Sequence, residues 1–454
     1  MFKDHIFREY DIRGVYNSDF DNDFAHDLGF AYAHFLRAHS DDTNPVVSVG
    51  YDARLSSPNI VDALTEGFLK GGAKVFNLGL ITTPMSYFSM FQLGLTGGIM
   101  VTGSHNPPEY NGFKLSLGRT TIFGHQIQAL REAMTGNPQS TPKGNLESFD
   151  ISGDYVSRYK EEFKDVKPVP VVLDCGNGAA GAIVRRMYES IGFNPEILFE
   201  KPDGTFPNHH PDPTVEHNTE DMKKAVAKTG AACGIGFDGD ADRIGLVDEK
   251  GRFVLGDEIM MIVARDILND IPGSKIIGDV KCSDRLYDDI QKYGGQPIMW
   301  KTGHSLIKNK IKQEKAPFGG ELSGHIFFSD RNYGYDDAPY AGLRLLEIIG
   351  KTGKTIDQLL EGIPKSYSTP EIRTETTEEN KVVLVKKLQD HFSKPSEAYT
   401  VNTIDGVRVS YKDGWALVRS SNTQPVITIR YESHTPEGLE RIQTEMTELI
   451  NPLL

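Results

Sequence analysis

The 454-residue sequence predicts an α/β protein: three similar α/β domains with mixed sheets, then a C-terminal α+β domain, arranged around a central cleft. Three observations predict this. Short β-branched runs that end in polar turns, the mark of buried strands in α/β units, recur three times at an interval of about a hundred residues. Each recurrence ends its third strand in an unusual polar loop. The last ~85 residues switch to the apolar/polar alternation of hairpins.

The first strands of the three units are VVSVGYDAR (46–54), VPVVLDCGNGA (169–179) and KIIGDVKCS (275–283). A helical stretch follows each, then a second strand: KVFNLGL (74–80), NPEILFE (194–200) and QPIMWKTG (296–303). The third strands lead into GGIMVTGSHNPPEYNGFK (97–114), AACGIGFDGDADR (231–243) and APFGGELSGHIFFSD (316–330). Open α/β sheets bind ligands outside the carboxyl ends of their strands, so three matching loops predict one shared cleft. Boundaries are expected near TGNPQSTPKGN (135–145), VDEKGRFVLGDE (247–258) and IPKSYSTPE (363–371). That gives domains 1–145, 146–250, 251–365 and 366–454. In the tail, VRVSYKDGWALVRS (407–420) turns at Asp413-Gly414, and Thr435 can cap a helix with Pro436 at its first position.

Composition bounds the function. With 38% hydrophobic and 25% charged residues the chain can bury a core, which excludes wholesale disorder. A net charge of −14 argues against a general nucleic-acid or membrane-surface role, but local basic clusters can still bind a small anion. Residues 75–104 carry no Asp, Glu, Lys or Arg, and Pro84, Gly94, Gly97 and Gly98 break the run. It reads as a buried strand–helix–strand rather than a membrane span. Cys175, Cys233 and Cys282 are far apart, as free thiols in a reducing compartment would be, and the N-terminus has no apolar h-region. A cytoplasmic monomer is the expectation.

The loops carry the chemistry. In DGDADR, Asp238, Asp240 and Asp242 alternate, so an extended segment would put all three carboxylates on one face. Their repulsion calls for a hard divalent cation, Mg²⁺ by preference. In TGSHNP, Ser104 leaves an apolar strand without the glycine of a nucleophile elbow, since position 106 is Asn. A serine beside a metal suits phosphoryl transfer, with His105, Lys114 and Arg13 for proton transfer and anion binding. Glu321 and Ser323, one residue apart in GGELSGH, suit vicinal sugar hydroxyls, with His304 and His325 nearby. In RSSNTQP, Arg419, Ser421, Asn422 and Thr423 suit a phosphate cradle. GKTGKT (350–355) lacks the first glycine of a P-loop and follows a helical run, with Gly350 expected as its C-terminal cap.

In order along the chain, FREYDIRG (7–14), VGYDARLSSP (49–58), TGSHNPPEYNGFK (102–114), DGDADR (238–243), GELSGH (320–325) and RSSNTQP (419–425) resemble the α-D-phosphohexomutase family, bacterial phosphomannomutase/phosphoglucomutase type. The resemblance implies that Ser104 is a phosphoserine and that, with Asp238, Asp240 and Asp242, it holds Mg²⁺. It implies that Glu321 and Ser323 grip sugar hydroxyls and that Arg419, Ser421, Asn422 and Thr423 hold the non-reacting phosphate. Tyr10, Arg13, Lys114, Arg243, Lys281, His304 and His325 match supporting cleft positions. The implied reaction moves a phosphoryl group between the 1- and 6-positions of mannose or glucose phosphate through a hexose 1,6-bisphosphate. Two departures are Gln424, where the family commonly has an acidic residue, and Leu322, where many dual-specificity relatives have Met. Phosphoglucosamine mutase, a catalytically silent sugar-phosphate binder and a phosphatase using the same serine are the alternatives.

Overall fold

The computed structural model describes residues 3–136, 143–394, 396–421 and 425–454. The repeat is explicit in its sheets. In the first, the strands Gly97–Val101, Val46–Tyr51 and Lys74–Leu80 lie parallel, third–first–second, and Tyr110–Leu117 folds back antiparallel on Gly97–Val101. The second sheet repeats this with Cys233–Phe237, Val171–Asp174 and Glu196–Leu198, and Ile244–Asp248 folds back. The third repeats it with Phe318–Gly320, Lys275–Asp279 and Gln296–Trp300, and Ile326–Phe328 folds back. The turn between the third strand and its returning partner is therefore the same place in every unit. It holds Ser104 in the first, the aspartates in the second and Glu321 in the third.

Local chemistry accounts for these elements. The parallel strands are β-branched and covered on both faces, as at Val47, Val49, Val172 and Ile277, each fully buried. The charge-free run resolves into Lys74–Leu80, the helix Thr83–Gln92 and Gly97–Val101, the helix capped by Thr82 with Pro84 in its first turn. No helix among the described residues is long and apolar enough to cross a membrane. The helix Ala338–Thr352 runs past Gly350 and stops at Gly353, which takes φ +66°, so Gly353 and not Gly350 is the cap. Gly350 lies within the helix, where a Cβ would stand 2.4 Å from the Lys167 carbonyl oxygen.

The fourth domain is a six-stranded antiparallel-rich sheet centred on the hairpin Val407–Tyr411/Gly414–Ser420 and on Val426–Ser433. The helix Pro436–Ile450 packs on it, and the Thr435 side chain accepts a hydrogen bond from the Gly438 N–H at 3.0 Å. The second and third units share one hydrophobic core, which Leu78, Met85 and Phe88 of the first unit also enter.

A buried tyrosine cluster pins that shared core. Asp337 caps the helix Ala338–Thr352, accepting from the Tyr340 N–H at 2.9 Å. It also accepts from Tyr155 Oη at 2.9 Å and Tyr159 Oη at 2.7 Å, both on the helix Ser152–Glu162. Burial pushes the Asp337 carboxyl up to about 6, against these hydrogen bonds, which pull it down. A carboxyl raised in this way holds its proton longer in the folded state. Its contribution to stability is complete below the ordinary carboxylate range and is lost as pH rises through about 6. Asp337→Asn keeps the cap and removes the titration. Equilibrium unfolding from pH 4 to 7 is expected to show a fall in stability with pH that this variant flattens by roughly 2–3 kcal/mol. An unchanged slope would show that Asp337 ionises as easily folded as unfolded.

Candidate active site

Four walls enclose a cleft of about 1390 Å³. Its lining includes Tyr10, Arg13, Ser104, His105 and Lys114 from the first unit and Arg243 from the second. Lys281, His304, Glu321, Ser323 and His325 come from the third, and Arg419 and Ser421 from the fourth. Asp238, Asp240 and Asp242 lie just beneath, with no exposed surface. Asn422, Thr423 and Gln424 lie outside the described residues.

Ser104 is 2% exposed and sits in the left-handed region at φ +50°. Its N–H donates to Thr102 Oγ1 at 2.8 Å. Its Oγ donates to Asp238 Oδ2 at 2.9 Å and stands 3.2 Å from His105 Nδ1. The carboxylates converge, but not by strand alternation. Residues 238–243 form a tight turn between two strands, with Ala241 at φ +63°, and Asp238 Oδ1 accepts the N–H groups of Asp242 and Arg243. A side chain that ties its own backbone makes the turn and aims the carboxylates together. The same correction holds for Glu321 and Ser323, which lie in a tight turn closed by Gly324 at φ +84° rather than on an extended loop.

The three carboxylates fit a divalent cation. One oxygen from each lies within 4.8 Å of the others, and Asp240 Oδ1 and Asp242 Oδ1 are buried without a hydrogen-bond partner. The Lys114 ammonium bridges Asp240 Oδ2, at 2.7 Å, and Asp242. One cation cannot balance three buried anions. Burial, then Asp240 and Asp242, push Asp238 well above the usual carboxylate range. Burial also works against the Asp242 charge, but Lys114 and His325 outweigh it and hold that carboxyl low. Thr83, from the first unit, donates to Asp240 Oδ2 at 2.5 Å.

The third-unit wall is a chain of charge. Glu321 accepts from the Gly303 N–H on one oxygen, and its other oxygen meets His325 Nδ1 at 2.7 Å. His325 Nε2 is 3.3 Å from Asp242 Oδ1. Burial and Arg243 oppose protonation of this imidazole, yet the flanking carboxylates prevail and raise it to about 9. His304 is the opposite case: burial, then Lys308 and Lys114, push it well below 6.5 and leave it neutral. His105 is neutral for the same reason, with Arg243 and Arg13 as the neighbouring charges. Tyr10 donates to the Thr302 carbonyl oxygen at 2.7 Å and packs edge-on against His304. At the far wall, Arg419 Nε donates to Asp405 Oδ2, which also takes the Thr302 N–H and so joins the fourth domain to the third. Lys281 meets Glu371 at 3.3 Å. Arg13 meets Asp11 Oδ2 at 2.5 Å.

Four family descriptions cover most of the chain in the same order. Phosphoglucomutase/phosphomannomutase, alpha/beta/alpha domain I, matches residues 4–140, domain II residues 153–251 and domain III residues 255–367. The C-terminal domain of the same family matches residues 371–449. The chain belongs to the phosphoglucomutase/phosphomannomutase family. It is 42% identical to the phosphomannomutase/phosphoglucomutase of Pseudomonas aeruginosa over 97% of this chain and 94% of that one. It is 40% identical to the phosphoglucomutase of Neisseria meningitidis serogroup A over 99% and 98%. A crystal structure of a phosphoglucomutase/phosphomannomutase family protein from Burkholderia thailandensis matches with a TM-score of 0.91, 40% identity and coverage of 100% of this chain and 98% of that one.

In this phosphohexomutase the described residues singled out from sequence all meet in one cleft or directly below it. Sequence reasoning missed several that share it. Arg8, Arg373 and Arg430 add positive charge to the lining. Asp336, fully buried, stands 3.6 Å from His304 Nδ1 and 3.0 Å from Lys308 Nζ. Arg54 and Asp52 lie under the serine loop. The last pair stood in plain view in VGYDARLSSP, where a charged pair leaving a buried strand was the available signal.

Proposed function

We propose that this chain interconverts the 1- and 6-phosphates of mannose and glucose, with Ser104 carrying the transferred phosphoryl group. The observation that carries the reading is Ser104 itself: a buried hydroxyl 2.9 Å from the metal-binding carboxylate Asp238, facing a cleft walled by all four domains. In the forward step the phosphoserine O–P bond breaks, the departing Ser104 Oγ takes up a proton to become a hydroxyl, a bond from phosphorus to the sugar hydroxyl oxygen forms, and that sugar hydroxyl loses its proton. His105 and His304, both kept neutral, are the groups able to accept it. The hexose 1,6-bisphosphate then turns over, and its other phosphate returns to Ser104. Asp238, Asp240, Asp242 and Ser104 would hold Mg²⁺, which when bound draws off charge from the transferring group.

Glu321 and Ser323 recognise sugar hydroxyls, while Arg419, Ser421, Asn422 and Thr423 take the non-reacting phosphate. Arg13, Arg243 and Lys281 supply positive charge along the cleft, and Tyr10 braces His304. A sugar that must bind in two orientations has to be recognised by its hydroxyls and its distant phosphate, the division of roles this reading gives these groups. A cytoplasmic location, supported by the three buried free thiols, and a monomeric state belong to the same reading.

The test is a substrate panel with Mg²⁺ and a trace of glucose 1,6-bisphosphate. It compares mannose 1-phosphate, glucose 1-phosphate and glucosamine 1-phosphate for conversion to the 6-phosphates. Fast conversion of the first two is expected. A preference for glucosamine 1-phosphate would reassign the sugar, and free phosphate without an isomer would make the protein a phosphatase.

A further inference from the structure

The serine loop is held by a single guanidinium. Arg54 is 1% exposed, and each of its five N–H donors has one acceptor. Nε donates to Asp52 Oδ2 at 3.1 Å. One terminal nitrogen donates to the carbonyl oxygens of Pro107, at 2.5 Å, and Tyr110, at 2.9 Å. The other donates to those of Ser104, at 2.7 Å, and Asn106, at 2.6 Å. Asp52 completes the clamp from the opposite polarity. It accepts Thr102 Oγ1 at 2.8 Å and the Gly103 N–H at 3.2 Å. Its other oxygen takes Ser57 Oγ at 2.9 Å and the Arg54 N–H at 3.1 Å.

Space is as tight as the bonding. A Cβ on Gly103 would lie 2.4 Å from the guanidinium carbon, and a Cβ on Gly239 would lie 2.3 Å from the Ser104 carbonyl oxygen. Phe206, from the second unit, lies with its ring centre 5.4 Å from the Arg54 guanidinium. Arg54 does not line the cleft.

We infer that Arg54, braced by Asp52, is the positioning residue that imposes the left-handed turn at Ser104 and so fixes its hydroxyl over Asp238. Without it, the carbonyl groups of Ser104, Asn106 and Tyr110 lose the guanidinium as donor and that of Pro107 keeps only the Tyr110 N–H, so the strained turn that holds non-glycine Ser104 at φ +50° loses its main side-chain support. A displacement of about 1 Å at the reacting oxygen costs on the order of 10²-fold in rate. Lysine cannot substitute. It brings the charge but only three donors from one point, against five in a planar fork.

This inference rests on Ser104 being the phosphoryl carrier, and its test separates the two. Arg54→Ala and Arg54→Lys are assayed with Ser104→Ala in parallel, all at a temperature where circular dichroism shows each variant folded. Both Arg54 variants are expected to lose about 100-fold in kcat with KM within about threefold of the parent. Added guanidinium ion is expected to restore part of the loss in Arg54→Ala, and to do nothing for Ser104→Ala. Should Arg54→Ala not fold, Arg54→Lys carries the kcat and KM comparison alone. Near-parental kcat in Arg54→Lys overturns the positioning role, since charge alone would then suffice. A loss confined to KM overturns it too. If Ser104→Ala keeps its turnover, the carrier assignment fails instead.

Discussion

Ser104→Ala is expected to lower kcat by at least about 10⁴-fold while leaving the protein folded. No other hydroxyl can take over. The Ser104 loop is clamped by Arg54 and Asp52, and within reach of Asp238 its Oγ is the hydroxyl the turn presents. The stability cost should be small by comparison. Asp238 loses one donor to a buried carboxyl oxygen, worth about 1–3 kcal/mol, but Oδ1 keeps its two backbone N–H bonds. Intact-mass measurement after exposure to glucose 1,6-bisphosphate gives a second readout. The parent should gain one phosphoryl group and the variant none. Turnover within tenfold of the parent, or a phosphoryl group still gained, would place the carrier elsewhere.

Asp242→Asn should have the next largest effect, about 10²–10³-fold in kcat, with the Mg²⁺ concentration for half-maximal rate raised at least tenfold. Asp242 is the node of the site. It bonds the Lys114 ammonium on one oxygen and faces His325 with the other. Neutralising it removes one of the three carboxylates proposed to hold the metal. It also leaves Lys114 dependent on Asp240 and His325 dependent on Glu321. An uncompensated buried cation is costly, so the thermal midpoint of the metal-free variant should fall as well. A titration of rate against Mg²⁺ checks the first part. An unchanged half-maximal concentration would remove Asp242 from the metal set.

Much of this site was legible in the linear sequence because its residues are packed into short turns. Ser104, Asp238, Asp240, Asp242, Glu321 and Ser323 each lie in a run of five to eight residues between a buried strand and its return, and such runs stand out against β-branched surroundings. The reason offered for the aspartate run was nevertheless wrong in its geometry. Alternation puts side chains on one face only while the backbone stays extended, and here the Asp238 side chain binds its own backbone and bends the chain. Arg54 shows the opposite limit. Its residue type was visible, but nothing local says that a guanidinium will turn inward and saturate itself on four carbonyl groups fifty or more residues away. The helix end at Gly353 was misplaced by three residues for a related reason: Gly350 looked like a cap, yet its missing Cβ makes room for the Lys167 carbonyl of another unit.

The sequence by itself determined the threefold α/β repeat and the family, and it singled out the serine, the acidic triplet and two further polar loops, since each is a local pattern of residue types with a local physical meaning. Tertiary structure alone decided which of those groups touch. It set Ser104 on Asp238, Lys114 between two aspartates, and His325 against Asp242, pairing residues from different units across more than eighty positions. It decided the protonation states too. Burial and neighbouring charge keep His304 neutral and His325 charged, although both are histidines of one unit, 5.6 Å apart between ring centres. A charge state depends on what lies within a few ångströms in space, and a chain does not contain that information until its third, distant strand has come home.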